Sequence, residues 1–258
     1  MRGAALGVPL LLIVLLARTA GATPPRRVVS LNLCTDQMLL LLAPQSAAAL
    51  SPLARDPSLS AMAAEAARIP RVPASAEAVL RLHPDLVLAE PYGAQATVAA
   101  LTDLGQRVVT LPDPASFPEI RATIAHLAAI LGAEARGAAL IAAMDRRLTG
   151  LPRPAHPPTA ILLEPRGLAA GPASLAGSVL AAAGFRDAAR GGWLSLEILL
   201  AHPPDLLVVP TASGFPSLAT RLLADPALAA IPRRTVPAAW LICGTPFAAQ
   251  AARMIARR

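Results

Sequence analysis

Two similar α/β lobes with mainly parallel sheets, joined by a long backbone helix, are the architecture this sequence predicts. A fourteen-residue phrase occurs twice: Ser75–Leu88 aligns without a gap on Ser195–Val208, with Ser, Glu, Leu, Pro, Asp and Leu at the same offsets. Strand-like and helix-like segments alternate on both sides of residues 117–151, as parallel sheets with crossover helices require. Residues 117–151 themselves carry no strand signal. The two copies lie too far apart for solenoid repeats, whose period is roughly 20–50 residues.

Each element has a local cause. Arg27–Leu31 reads as a buried strand, followed by an apolar helix through Leu42 that Thr35 or Asp36 can cap. A second strand is expected over Ala48–Ser51 and a helix over Ser60–Ala67. The first repeat copy gives a helix from Ala76, capped by Ser75, with Glu77 in the first turn where a carboxylate complements the helix dipole. Pro84 ends it, and Leu86–Ala89 follows as a strand. A helix then runs to Leu104 and a strand over Arg107–Leu111.

From Phe117 apolar residues recur three and four apart (Ile120, Ile124, Leu127, Ile130, then Leu140, Met144, Leu148), the pattern of an amphipathic helix that Gly132 and Gly137 could bend or divide. The second lobe repeats the order. Thr159–Leu163 is a strand, Ser174–Ala183 a helix, and the second copy brings Ser195, Glu197 and the strand Leu206–Val209. A helix over Leu218–Leu223, a short strand at Thr235–Ala239 and a helix over Phe247–Ala256 complete it.

The first residues are of another kind. Arg2, an apolar run from Ala4 to Ala17 and a small-residue end at Ala20-Gly21-Ala22 describe a secretory signal peptide cleaved after Ala22. Its apolar run of about 14 residues is short of the ~20 that span a membrane. The predicted organisation is therefore residues 1–22 signal, 23–116 first lobe, 117–151 connecting helix and 152–258 second lobe. The formal charge is +7, and all 23 basic residues are arginines. They are scattered rather than gathered into a stripe with aromatics, which argues against nucleic acid as a partner. Cys34 and Cys243 are either one bridge or two buried thiols.

The order lobe, helix, lobe, with Arg27-Val-Val-Ser-Leu31 near the exported N-terminus and the doubled Glu-x-x-Leu…Pro-Asp-Leu phrase, resembles the substrate-binding proteins of iron-chelate and vitamin B12 ABC importers. The resemblance covers essentially the whole exported chain. It implies a monomeric periplasmic receptor that needs no cofactor of its own. Such a receptor holds a corrinoid or ferric siderophore between rigid lobes and hands it to an inner-membrane permease with its ATPase subunits. It also implies that one acidic residue on each lobe docks on permease arginines, and the matching positions are Glu77 and Glu197. Without the resemblance, each carboxylate would simply serve a helix N-terminus.

Ligands of open α/β sheets bind beyond the carboxyl ends of the strands. That rule nominates Asn32, Cys34, Thr35 and Asp36 after the first strand, and Tyr92 and Gln95 after the repeat strand. In the second lobe it nominates the Glu164–Gly171 loop and Phe215. Trp193 and Trp240 join them because a flat aromatic suits a corrin, haem or catecholate face; for Trp240 core packing is the competing role. Arg55 and Arg166 could pair with an anionic chelate. Other classes fit less well. His83, His126, His156 and His202 show no metal-ligand spacing. An exported hydrolase would need an activated nucleophile, yet Gly-x-Ser-x-Gly is absent and Cys34 is the only, weak, candidate.

Overall fold

The structure, a computed structural model, describes residues 23–164, 167–211 and 225–257. The expected signal segment, the helix at 218–223, Arg166 and Phe215 lie outside the described residues. The strands are β1 (Val28–Ser30), β2 (Ala47–Ala49), β3 (Leu86–Ala89), β4 (Val108–Thr110), β5 (Thr159–Leu162), β6 (Leu168–Ala169), β7 (Arg186–Asp187), β8 (Gly192–Trp193), β9 (Leu206–Pro210) and β10 (Arg233–Val236). The helices are α1 (Leu33–Leu42), α2 (Ala63–Ala66), α3 (Ala76–Leu80), α4 (Gln95–Asp103), α5 (Phe117–Leu131), α6 (Glu134–Leu148), α7 (Leu175–Ala182), α8 (Leu196–Ala201) and α9 (Phe247–Ala256).

Two four-stranded sheets, each parallel throughout, have the same topology. The first runs β2-β1-β3-β4 and the second β7-β5-β9-β10, so β1 corresponds to β5 and the repeat strand β3 to β9. The repeated phrase has a structural meaning in each lobe. The Ser75 and Ser195 hydroxyls accept the N–H groups of Ala78 and Ile198 at 3.3 and 3.4 Å, capping α3 and α8. The repeated aspartates clamp the neighbouring strand. Asp85 accepts the backbone N–H groups of Arg26 and Arg27 at 2.7 and 3.1 Å, and Asp205 accepts that of Thr159 at 2.7 Å. Arg27 precedes β1 and Thr159 opens β5. The Pro-Asp-Leu phrase thus ties the start of each repeat strand to the start of the strand beside it.

Successive residues of a strand face opposite sides, and both sheets use this alike. Val28, Leu86 and Leu88, and on the other side Ala160, Leu162, Leu206 and Val208, join one core that runs through both lobes. Val29, Val87 and Leu101 form a separate outer cluster in the first lobe, and Ile161, Leu163 and Leu207 one in the second. The shared core is completed by Ile120, Ile124 and Leu127 of α5, Met144 of α6 and Ile255 of α9.

The connecting segment is helical, but as two helices rather than one. Gly132 adopts φ +64°, a left-handed conformation that ends α5 and that a glycine accepts without cost. Then α6 folds back along α5. A Cβ on Gly137 would stand 2.6 Å from that of Ala128, so the glycine sets how closely the pair approaches. Arg121 of α5 pairs with Asp145 of α6 at 2.6 Å. Two further departures concern strands. The last strand lies at Arg233–Val236, two residues earlier than expected, and Ala238–Trp240 is a 3-10 turn. The short antiparallel pair β6–β8 carried no sequence signal that anticipated it. Among the described residues no helix is long and apolar enough to cross a membrane.

Candidate functional site

At the carboxyl end of the first sheet, two loops lock each other in place. The Asn32 side chain accepts the Glu90 N–H at 3.0 Å and donates to the Tyr92 carbonyl at 3.1 Å. In return, the Glu90 carboxylate accepts the N–H groups of Cys34 and Thr35 at 2.8 and 3.2 Å. Those two amides open α1, so the helix is capped from the loop after β3 and not by Thr35 or Asp36. Burial pushes the Glu90 carboxyl above its usual range against these two bonds, and nearby Asp113 adds to the effect. Asp113 is itself raised by burial.

Thr35 and Asp36 are buried and do not line an open cleft. The Thr35 hydroxyl bonds the Asn32 carbonyl and the Ser30 hydroxyl at 2.9 and 2.8 Å. Asp36 accepts the Ser51 N–H at 3.1 Å and its hydroxyl at 2.5 Å. Burial pushes its pKa up to about 6 despite the hydrogen bonds from Ser30 and Ser51. The expectation that both touch a ligand gives way to a structural role, because α1 turns them toward the sheet. Arg55 is likewise spent on the protein: it donates to the carbonyls of Ala66 and Ile69.

Cys34 is bonded to Cys243, which decides between bridge and thiols and leaves no thiolate for catalysis. The bridge joins the start of α1 to the segment before α9, and hence one lobe to the other. Around it the lobes meet tightly. A Cβ on Gly244 would lie 2.5 Å from the Pro114 carbonyl oxygen. The Gln37 amide donates to the Cys243 sulfur at 3.3 Å. Cys34, Glu90, Pro112, Pro114 and Gly244 line the crevice left at this seam, which holds only about 10 Å³.

Above the seam, on the second lobe, Glu164, Pro210, Ala238, Leu241 and Ile242 line a hollow of about 200 Å³. Pro210 ends β9 and the others follow β5 and β10, so the hollow sits at strand carboxyl ends, where the topological rule puts a ligand. Burial raises the Glu164 carboxyl above its ordinary range. On the first lobe, just beyond β3, Tyr92 is 68 % exposed, its backbone fixed by Asn32. Gln95 opens α4 and donates to the Pro91 carbonyl at 2.6 Å.

The tryptophans do not join this surface. Trp193 is 65 % exposed on β8, beside Ile161, Ile198 and His202 on the outer flank of the second lobe. Trp240 packs against the shared core and faces α9. A 3-10 turn at Ala238–Trp240 points Ala238 at the cleft and the indole away from it.

Glu77 and Glu197 are both exposed in first turns of matched helices. Glu77 pairs with Arg81 at 2.7 Å, and the matching position in the second lobe is Ala201. Sequence reasoning passed over Glu90, and reached Glu164 only as the first residue of the nominated Glu164–Gly171 loop. A signal was present: Glu-Pro directly follows β3 and nearly follows β5, at Glu90-Pro91 and Glu164-Pro165.

Comparison with known proteins gives a consistent result. Residues 28–232 match the family model described as periplasmic binding protein. No curated protein sequence matches the chain. Among solved structures, the periplasmic haem-binding protein HutB of Vibrio cholerae superposes with a TM-score of 0.72 at 20 % identity, covering 88 % of this chain and 95 % of that one. The vitamin B12-binding protein BtuF of Vibrio cholerae gives 0.67 at 18 %, over 90 % and 96 %. An ABC-type Fe3+-hydroxamate transport protein from Saccharomonospora viridis gives 0.66 at 23 %, over 90 % and 92 %.

Proposed function

This chain belongs to the periplasmic binding protein family, and from that premise we propose that it is the exported receptor of an ABC importer, capturing a metal chelate between its lobes. The observation that carries the reading is the matched pair of parallel sheets, whose carboxyl ends flank a seam closed by the Cys34–Cys243 bridge. One continuous core and one covalent link restrain the lobes, so capture rests on a preformed surface and not on a large closure. The apolar part of that surface, Pro210, Leu241 and Ile242, suits the organic face of a corrinoid or ferric siderophore. Tyr92, Glu164 and Asn32 supply polar contacts around it. Docking on the permease falls to Glu77 and Glu197, each exposed and equivalent in position, as a twofold-related partner would require.

Tyr92 favours a second reading for the ligand. It is the sole tyrosine, exposed at the mouth of β3, and a phenolate oxygen is an axial donor to haem iron. A melting-temperature panel with cobalamin, ferric hydroxamate, ferric catecholate and haem separates the two. A rise that grows with ligand concentration identifies the ligand. A haem shift lost in Tyr92→Phe selects the second reading. No shift with any of the four would sink the chelate proposal. For docking, uptake in cells carrying the cognate permease should fall in Glu77→Ala/Glu197→Ala while affinity in vitro is unchanged. Unchanged uptake would remove both carboxylates from the docking surface.

A further inference from the structure

Away from the cleft, three guanidinium groups from two helices face one hollow. Gln250, Arg253 and Met254 lie three and four apart on one face of α9, and Arg257, the residue that caps its C-terminus, continues that face. That face meets Trp240 and Arg147, from the last turn of α6, around a hollow of about 290 Å³. This is close to the lower end of small-ligand sites, roughly 300–1,000 Å³. The ion pairs found among the described residues, Arg81–Glu77 and Arg121–Asp145, involve none of the three arginines. Arg147 gives one N–H to the Ala143 carbonyl at 3.0 Å and keeps the rest of its donors.

Arginines near a helix C-terminus ordinarily complement the dipole and the last carbonyls. At α9 part of that need is met from elsewhere, since Arg234 of β10 donates to the Ile255 carbonyl. Three like charges around one hollow repel each other, and an anion with several oxygens relieves the repulsion. Guanidinium forks match phosphate geometry, and the Trp240 indole adds a flat apolar wall.

We propose that this hollow binds a phosphate-bearing anion, either a soluble phosphorylated compound or the headgroup of an anionic lipid, independently of whatever occupies the cleft. The test uses the exported chain from Thr23 carrying Trp193→Phe, which leaves Trp240 as the only tryptophan. Pyrophosphate is titrated against sodium chloride of equal ionic strength while the emission is read. In parallel, the protein is sedimented with phosphatidylcholine vesicles, with and without phosphatidylglycerol. A saturable emission change with pyrophosphate, weakened at least tenfold in Arg253→Gln/Arg257→Gln and unaltered by Tyr92→Phe, supports a soluble ligand. Sedimentation only with phosphatidylglycerol, lost in the same double variant, supports the headgroup. Melting curves check that variant's fold. If it is unfolded, Arg147→Gln on the other helix takes its place. No response to either probe, equal responses to chloride and pyrophosphate, or undiminished binding by the arginine variants would overturn the proposal.

Discussion

The two lobes share a sheet and differ in what they place at its end. In the first lobe the carboxyl end is a polar lattice, in which Asn32 and Glu90 cross-brace two loops and Asp36 is buried against Ser51. In the second, Pro210, Ala238, Leu241 and Ile242 give an apolar hollow with Glu164 at its edge, and the β6–β8 pair is added on the flank. A sheet must bury both faces, which permits few alternatives, so strand order is common to both halves. Loops beyond the strand ends carry no such obligation and are where the halves diverge.

The largest expected effect comes from uncoupling the lobes. The Cys34–Cys243 bridge closes a separation of 209 residues. Cys34→Ser/Cys243→Ser, or reduction, should cost about 2–5 kcal/mol, chiefly by freeing the unfolded chain. Urea melts with and without reductant measure it. Equal midpoints would mean that the shared core alone sets the lobes' relation.

Next is a pH dependence centred on Asp36 of the first lobe. Asp36 titrates near 6 in the folded protein against an ordinary 3.8, so between these values the folded state holds a proton that the unfolded state has released. Stability is therefore greatest below about pH 4 as far as this group is concerned, and is lost as pH rises through 6, by roughly 3 kcal/mol. Asp36→Asn should flatten the urea midpoint between pH 4.5 and 7. An unchanged slope would assign the dependence to Glu90, Asp113, Glu164 or Asp187, which burial also raises.

Gly244→Ala tests the seam from the second lobe. Its Cβ would press on the Pro114 carbonyl oxygen at 2.5 Å, which is backbone and has little room to yield. A loss of about 1–3 kcal/mol is expected, with the disulfide still formed. Thermal melts and thiol counting check both parts.

The smallest effect sharpens the symmetry itself. Asp85→Ala and Asp205→Ala each remove a strand clamp exposed to water, so each should cost only about 1 kcal/mol. Near-equal losses in denaturant melts would mean that the repeated aspartate does one job in both lobes. A clear inequality would break the equivalence.

Much of the fold was legible because its signals are local. Capping serines, helix-ending prolines and alternating apolar strands placed the repeat elements within a residue or two, and helical periodicity marked 117–148. That segment's division at Gly132 was visible only as an option, because a glycine permits a left-handed turn without demanding one. The site was less legible. Asn32 and Tyr92 do stand at strand ends. Thr35, Asp36, Arg55 and Trp240 have the right chemistry in the right stretch but are turned inward, onto backbone or away from the cleft.

By itself, then, the sequence determined two parallel sheets of one design, a helical connection and the cysteines' two alternatives, since each follows from periodicity, caps and composition along the chain. Tertiary structure alone decided that Cys34 meets Cys243, that Glu90 caps α1 from 56 residues further along the chain, and that Trp240 faces three arginines instead of the cleft. Those outcomes depend on how elements far apart in sequence are rotated against each other, and that rotation is set by packing of the shared core, which no local pattern encodes.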